Sequence, residues 1–173
     1  MSVTHSKPMR FRSSQLGFTL IEIMVAITIL ALLFGTGMVA YLKFNDNQTV
    51  IVTGQQVQLM LRTAQKKARV GDKPSGCSIL QGYQLTGSTV PYAVIQLDAV
   101  CGPSGATLVH SDAYTLPNKV TLQNAISIKF KVLTGGTDQP GNVVVTGSNG
   151  TTYTFAVGSG GDISEGVTQL GSN

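Results

Sequence analysis

The chain contains no tryptophan, and only 12% of its residues are charged. Its two cysteines, Cys77 and Cys101, lack the CxxC spacing of redox and zinc motifs. Histidine occurs twice, at His5 and His110, so the pair His110 and Asp112 is at most half of a metal site. The glycine pairs at Gly135-Gly136 and Gly160-Gly161 are not followed by the Lys-Ser/Thr of a phosphate loop. No catalytic constellation, metal site or cofactor motif is present, which points away from an enzyme. Acid is missing from the first 17 residues, which hold Lys7, Arg10 and Arg12. Taking those three from the twelve basic residues leaves nine against eight acidic, a net charge of +1. The overall pI near 9.2 is therefore a property of the N-terminus and no sign of nucleic-acid binding.

What the chain does have is one long apolar run. Residues 18–42 read FTLIEIMVAITILALLFGTGMVAYL, with Glu22 as the sole acid or base apart from Tyr41. As a helix these 25 residues span ~37 Å, enough for a hydrocarbon core of ~30 Å. The basic flank predicts that residues 1–17 stay in the cytoplasm and the C-terminal bulk lies outside. A secretory signal peptide would have a shorter apolar core ending in small residues, whereas a plain single-pass anchor fits the length.

Glu22 separates an anchor from something more specific. A carboxylate in an apolar helix costs ~2.5–3.5 kcal/mol on insertion scales. A cut after Gly17 would create a cationic partner, because the new amine on Phe18 falls one turn from Glu22. Paired within a chain or between neighbouring helices, the two charges would neutralise each other, and the second arrangement would set the stagger of an assembly.

The run Gly17-Phe18-Thr19-Leu20-Ile21-Glu22, with its basic leader and apolar block, resembles the type III signal sequence of type IV pilins and type II secretion pseudopilins. The resemblance implies cleavage after Gly17 by a prepilin peptidase that also methylates Phe18. Glu22 would carry the assembly charge. Many members of this superfamily have a proline at the position of Val39. Here the block has none, and Gly35 and Gly37 lie nearby, either as a stretch that melts on packing or as small residues allowing close helix contact.

Beyond the block, Val50, Val52, Val57, Leu59, Met60, Leu61, Ala64 and Ala68 recur at helical spacing, and Gly71 followed by Pro74 predicts a stop. An unbroken helix over 18–70 would be ~80 Å long. Lys66, Lys67, Arg69 and Lys73 crowd its end, suiting the helix dipole, with a DNA- or partner-binding patch as the alternative. After Pro74 short alternating runs predict strands at 83–86, 92–97, 107–110, 120–122, 126–133, 143–146 and 152–157. Asn149-Gly150 predicts a hairpin. The fold class is α+β: a long N-terminal helix packed on an antiparallel β-sheet head. Its expected divisions are a removed leader at 1–17, a membrane or filament-core helix at 18–42, an amphipathic continuation at 43–73 and a β-rich head at 74–173. If the head is exported, Cys77 and Cys101 are candidates for a disulfide closing a 24-residue separation, against two reduced buried thiols.

The stretch VVVTGSNGTTYTFAVGSGGDISEG and the helix end LMLRTAQKKARVGDK resemble GspH/FimT-like pseudopilins. DNA-binding members of that family carry basic residues where this chain has Gly160-Gly161-Asp162, so nucleic acid is not indicated as a partner. The expected role is a structural, minor subunit of a type IV pilus or pseudopilus. Alternatives are a type II secretion pseudopilin, a competence (DNA-uptake) pilin or, in another class, a single-pass anchored extracytoplasmic binding module. The implied partners are other pilin or pseudopilin subunits, the prepilin peptidase, and the inner-membrane assembly platform with its ATPase. The implied location is the inner membrane, head outside, then an extracellular or periplasmic filament.

Overall fold

The structure is a computed structural model and describes residues 17–103, 105 and 107–171. Lys7, Arg10, Arg12 and His5 lie outside these residues. Among the described residues one helix, α1 (Leu20–Val70), is followed by eight strands: β1 (Leu80–Gly87), β2 (Val94–Cys101), β3 (Thr107–Thr115), β4 (Val120–Leu122), β5 (Ile126–Lys131), β6 (Gly141–Gly147), β7 (Thr152–Val157) and β8 (Val167–Gln169). The chain divides into two units, one ending at Tyr41 and the other beginning at Leu42.

In the first unit the helix is apolar on all sides. Phe18, Leu20, Ile21, Met24, Ile27, Leu32 and Phe34 are all exposed. A helix apolar all round needs an apolar surrounding supplied from elsewhere. α1 contains a stretch long and apolar enough to cross a membrane, with none of that stretch buried. The helix passes through Gly35 and Gly37 unbroken, and nothing lies within 4 Å of a side chain built at either.

The second unit is the α+β head. The expectation was one antiparallel sheet against the helix. The strands instead divide into two antiparallel sheets, ordered β3-β2-β1-β5 and β4-β6-β7-β8. Both contribute to a single core with Val50, Val57, Met60, Leu61, Ala64 and Ala68 of α1. Tyr83, Leu85, Leu97, Ile128 and Phe130 come from the first sheet, and Val145, Tyr153 and Phe155 from the second. Val52 and Leu59 do not join the buried face, being 58% and 55% exposed. At 3.6 residues per turn they project roughly opposite Val50, Val57 and Ala64. Apolar character alone had put them on the wrong side.

Each end of this helical face has a specific lock. Gly71, with φ 65°, follows Val70. Its N–H donates to Ala68 O at 3.2 Å, and Asp72 N–H donates to Lys67 O at 3.0 Å. These two bonds form a Schellman cap, with glycine where the left-handed residue is required. Further back, Gly54 is where the Tyr153 ring packs against the helix, and a Cβ there would overlap it. The Tyr153 hydroxyl donates to Gln58 Oε1 at 3.2 Å. On helix propensity alone, Gly54→Ala would stabilise by ~1 kcal/mol. The overlap reverses the sign: we expect a loss of about 1–3 kcal/mol in thermal or denaturant unfolding.

Strand ends shift from their expected positions for local reasons. β2 begins at Val94 because Pro91 and Tyr92 form a turn. β3 continues past His110 to Thr115, across an irregularity in its register with β2 between Leu97 and Asp98. β5 stops at Lys131, because Leu133 takes a left-handed φ of 67°. In the β6–β7 hairpin, Gly150 N–H donates to Gly147 O at 3.0 Å and Gly147 N–H to Thr151 O at 2.8 Å. Gly150 alone is left-handed there, so the connection is a type I turn closed by a glycine bulge.

Candidate processing and assembly site

Gly17, Phe18 and Thr19 precede the helix and adopt no regular structure. Phe18 is 77% exposed, and the bond before it lies outside the helical hydrogen-bond ladder. Thr19 starts the helix. Its hydroxyl accepts the Glu22 N–H at 3.3 Å, and its carbonyl accepts the Ile23 N–H at 3.3 Å. Thr19 and Glu22 thus stand at the N-cap and N3 positions of a Thr-x-x-Glu pattern. The four-letter pattern was there to be read in the sequence, yet the cap role of Thr19 was missed beside the more conspicuous charge.

Glu22 lies in the first helical turn and is exposed. An acid there is favoured by the helix dipole by ~0.3–1 kcal/mol. No described side chain makes an ion pair with it. Phe18 stands four residues before Glu22, just ahead of the first turn of α1.

The remaining candidates lie in the head. Cys77 and Cys101 are joined, with S–S 2.11 Å and Cα–Cα 5.4 Å. The bridge ties the loop after α1 to the end of β2, and both sulfurs belong to buried residues. His110 and Asp112 do not converge. His110 Nδ1 lies 3.0 Å from Oδ1 of the buried Asp98, its cross-strand partner, while Asp112 Oδ1 accepts the Ala113 N–H. No cluster of three metal-ligating side chains occurs among the described residues.

Two of the four basic residues at the end of α1 are held by local partners. Lys67 Nζ donates to Ser111 Oγ at 2.6 Å and sits 5.6 Å from the centre of the Tyr83 ring. Lys73 Nζ donates to Ser78 O at 3.1 Å. Asn47 and Asn149, each the first residue of a glycosylation triplet, bind each other instead. Asn149 Nδ2 and Thr151 Oγ1 both donate to Asn47 Oδ1, at 2.6 and 2.7 Å.

Tyr83 joins helix end and sheet. It is buried, and its hydroxyl donates to Asp72 O at 2.8 Å. Burial and, to a lesser degree, the Asp72 charge push its pKa above the usual 10.0. A folded-state pKa raised in this way leaves stability unaffected below pH 10.0 and reduces it as pH rises through the folded value. Tyr83→Phe is expected to cost about 1 kcal/mol at neutral pH through the lost hydrogen bond. It should also remove this group's share of the alkaline decline, measured as unfolding free energy from pH 8 to 12.

Searches of curated proteins and of solved structures returned no match. A family model described as "Prokaryotic N-terminal methylation motif" matches residues 12–38. That span contains Gly17, Phe18, Thr19 and Glu22. The chain carries the prepilin motif of type IV pilins and pseudopilins, on an α1 long and apolar enough to cross a membrane.

Proposed function

We propose that this protein is a structural, minor subunit of a type IV pilus or pseudopilus, and that its work is assembly, with no catalysis. The observation that carries the proposal is Glu22, a single acid in the first turn of a helix whose apolar side chains are exposed on every side. Prepilin peptidase cuts after Gly17 and methylates the new amine on Phe18. The helix waits in the inner membrane with the basic leader in the cytoplasm. The assembly platform and its ATPase then draw it into a bundle of like helices. There sibling side chains replace lipid, and Glu22 meets the Phe18 amine of a neighbour. The 18–42 segment is the filament core, the 43–73 segment joins it to the head, and the head faces outward. The Cys77–Cys101 disulfide supports a head in an oxidising compartment.

The β6–β7 hairpin and the glycine-rich turn after it are the pattern behind the narrower GspH/FimT-like reading. That turn holds Asp162 and no arginine, which speaks against DNA as the head's ligand. Intact mass spectrometry of protein purified from its own cell tests the proposal. The expected chain begins at Phe18 with one added methyl group. A chain retaining residues 1–17 beside an active prepilin peptidase would instead make it a plain anchored module.

A further inference from the structure

Three described non-glycine residues hold left-handed backbone: Tyr92 at φ 56°, Lys119 at 69° and Leu133 at 67°. That conformation is unfavourable for any residue with a Cβ, and for a bulky aromatic it is an outlier. Leu133 has a structural account, since its N–H donates to the Ala68 carbonyl near the end of α1, at 2.9 Å. Lys119 has one too, since its carbonyl accepts the Ser148 N–H at 2.8 Å, whereas Tyr92 has none of this kind. The Tyr92 side chain is exposed, and that of Lys119 is 58% exposed.

The two turns are alike. Ala93 N–H donates to Val90 O, and Val120 N–H to Pro117 O, each at 3.2 Å. With positive φ at the third residue alone, both are type II turns, whose third position favours glycine. The chain has 20 glycines and uses none at either place. Both strained residues line one depression of about 350 Å³, together with Pro91, Asn118, Thr121 and Ser148. Backbone strain of this sort concentrates where a side chain must be presented to something.

We propose that this depression binds a neutral pyranose. The Tyr92 ring offers a flat apolar surface for the C–H face of a sugar. Asn118, Lys119, Thr121 and Ser148 supply the amide, ammonium and hydroxyl groups that hydroxyls require, and the volume suits a small ligand. The charge of Lys119 is already opposed by Asp46 at 3.3 Å, so the site holds no uncompensated cation for an acidic group. The adjoining edge strand, β4, has three residues, too few for strand addition by a peptide. The inference concerns the head alone and stands apart from the filament reading.

The full chain in phosphocholine micelles, which contain no sugar, is titrated with lactose, chitotriose and trigalacturonate by calorimetry and saturation-transfer NMR. At least one neutral sugar is expected to bind. Tyr92→Gly should weaken that binding 10-fold or more while leaving Tm unchanged or up to about 3 °C higher, because glycine relieves the turn. A folded variant that has lost the sugar supports the site. Failure of both neutral sugars, equal binding by the variant, or binding of trigalacturonate alone that vanishes with salt would overturn it. So would self-association abolished by Tyr92→Gly with sugar binding intact, which would make the depression a contact between copies.

Discussion

Glu22→Ala is expected to leave the protein in the membrane and remove it from the filament. Insertion should be unharmed or improved, because a carboxylate in an apolar helix costs free energy, up to ~2.5–3.5 kcal/mol at the centre and less in the first turn where Glu22 lies. Assembly should fail, because the Phe18 amine of the neighbouring helix then enters an apolar bundle without its counter-charge. Removing one member of a buried ion pair costs about 3–5 kcal/mol, more than removing both. The helix cap offers a competing explanation for any defect, and the structure separates the two. Thr19 binds the backbone N–H of residue 22, which survives every substitution there except proline. Glu22→Gln keeps side-chain length and cap but discards the charge, so it should fail almost as badly as alanine. Thr19→Ala removes the cap and keeps the charge, so it should weaken the first turn by ~1 kcal/mol and still assemble. The measurement is the share of each variant in sheared filaments against the membrane fraction. Normal incorporation of Glu22→Ala would end the charge-pairing account.

Loss of the Cys77–Cys101 bridge is expected to cost the head about 3 kcal/mol on the chain-entropy estimate for its 24-residue separation. The bridge holds the loop after α1 to β2, where the helix meets the first sheet. Cys77→Ser with Cys101→Ser should therefore loosen the helix end before the β6–β7 hairpin. Hydrogen exchange should speed up first around residues 64–80 and more slowly at 143–157. Ellman titration of the exported wild-type protein in denaturant should find no free thiol. Two free thiols would reject the bridge, and unchanged unfolding of the double variant would show that the packed core suffices without it.

Several of these features were legible in the chain because their causes are local. Gly71 and Pro74 marked the end of α1, and strict alternation marked Ile126, Ile128 and Phe130 as inward residues of β5. Strands β4 and β7 have the bounds their residues predicted. The same local reasoning failed where the outcome depended on a distant partner. Val52 and Leu59 were apolar and in a helix, yet the buried face follows Val50, Val57, Leu61 and Ala64 because the sheets lie on that side. Gly54 is a poor helix former by propensity, yet it sits where the ring of Tyr153, about a hundred residues later, packs against α1. Nothing in the local sequence around Tyr92 or Lys119 announces left-handed turns, since both positions ordinarily ask for glycine.

By itself, then, the sequence determined the apolar helix, its isolated acid and the order of most strands. These depend on hydropathy, charge and turn chemistry acting over a few residues. Tertiary structure alone decided the split into two sheets, the burial of one helical face over the other, the meeting of Cys77 with Cys101 and the pairing of Asn47 with Asn149. Each of those joins residues far apart in the chain, and each exists because close packing leaves only certain side chains room to meet.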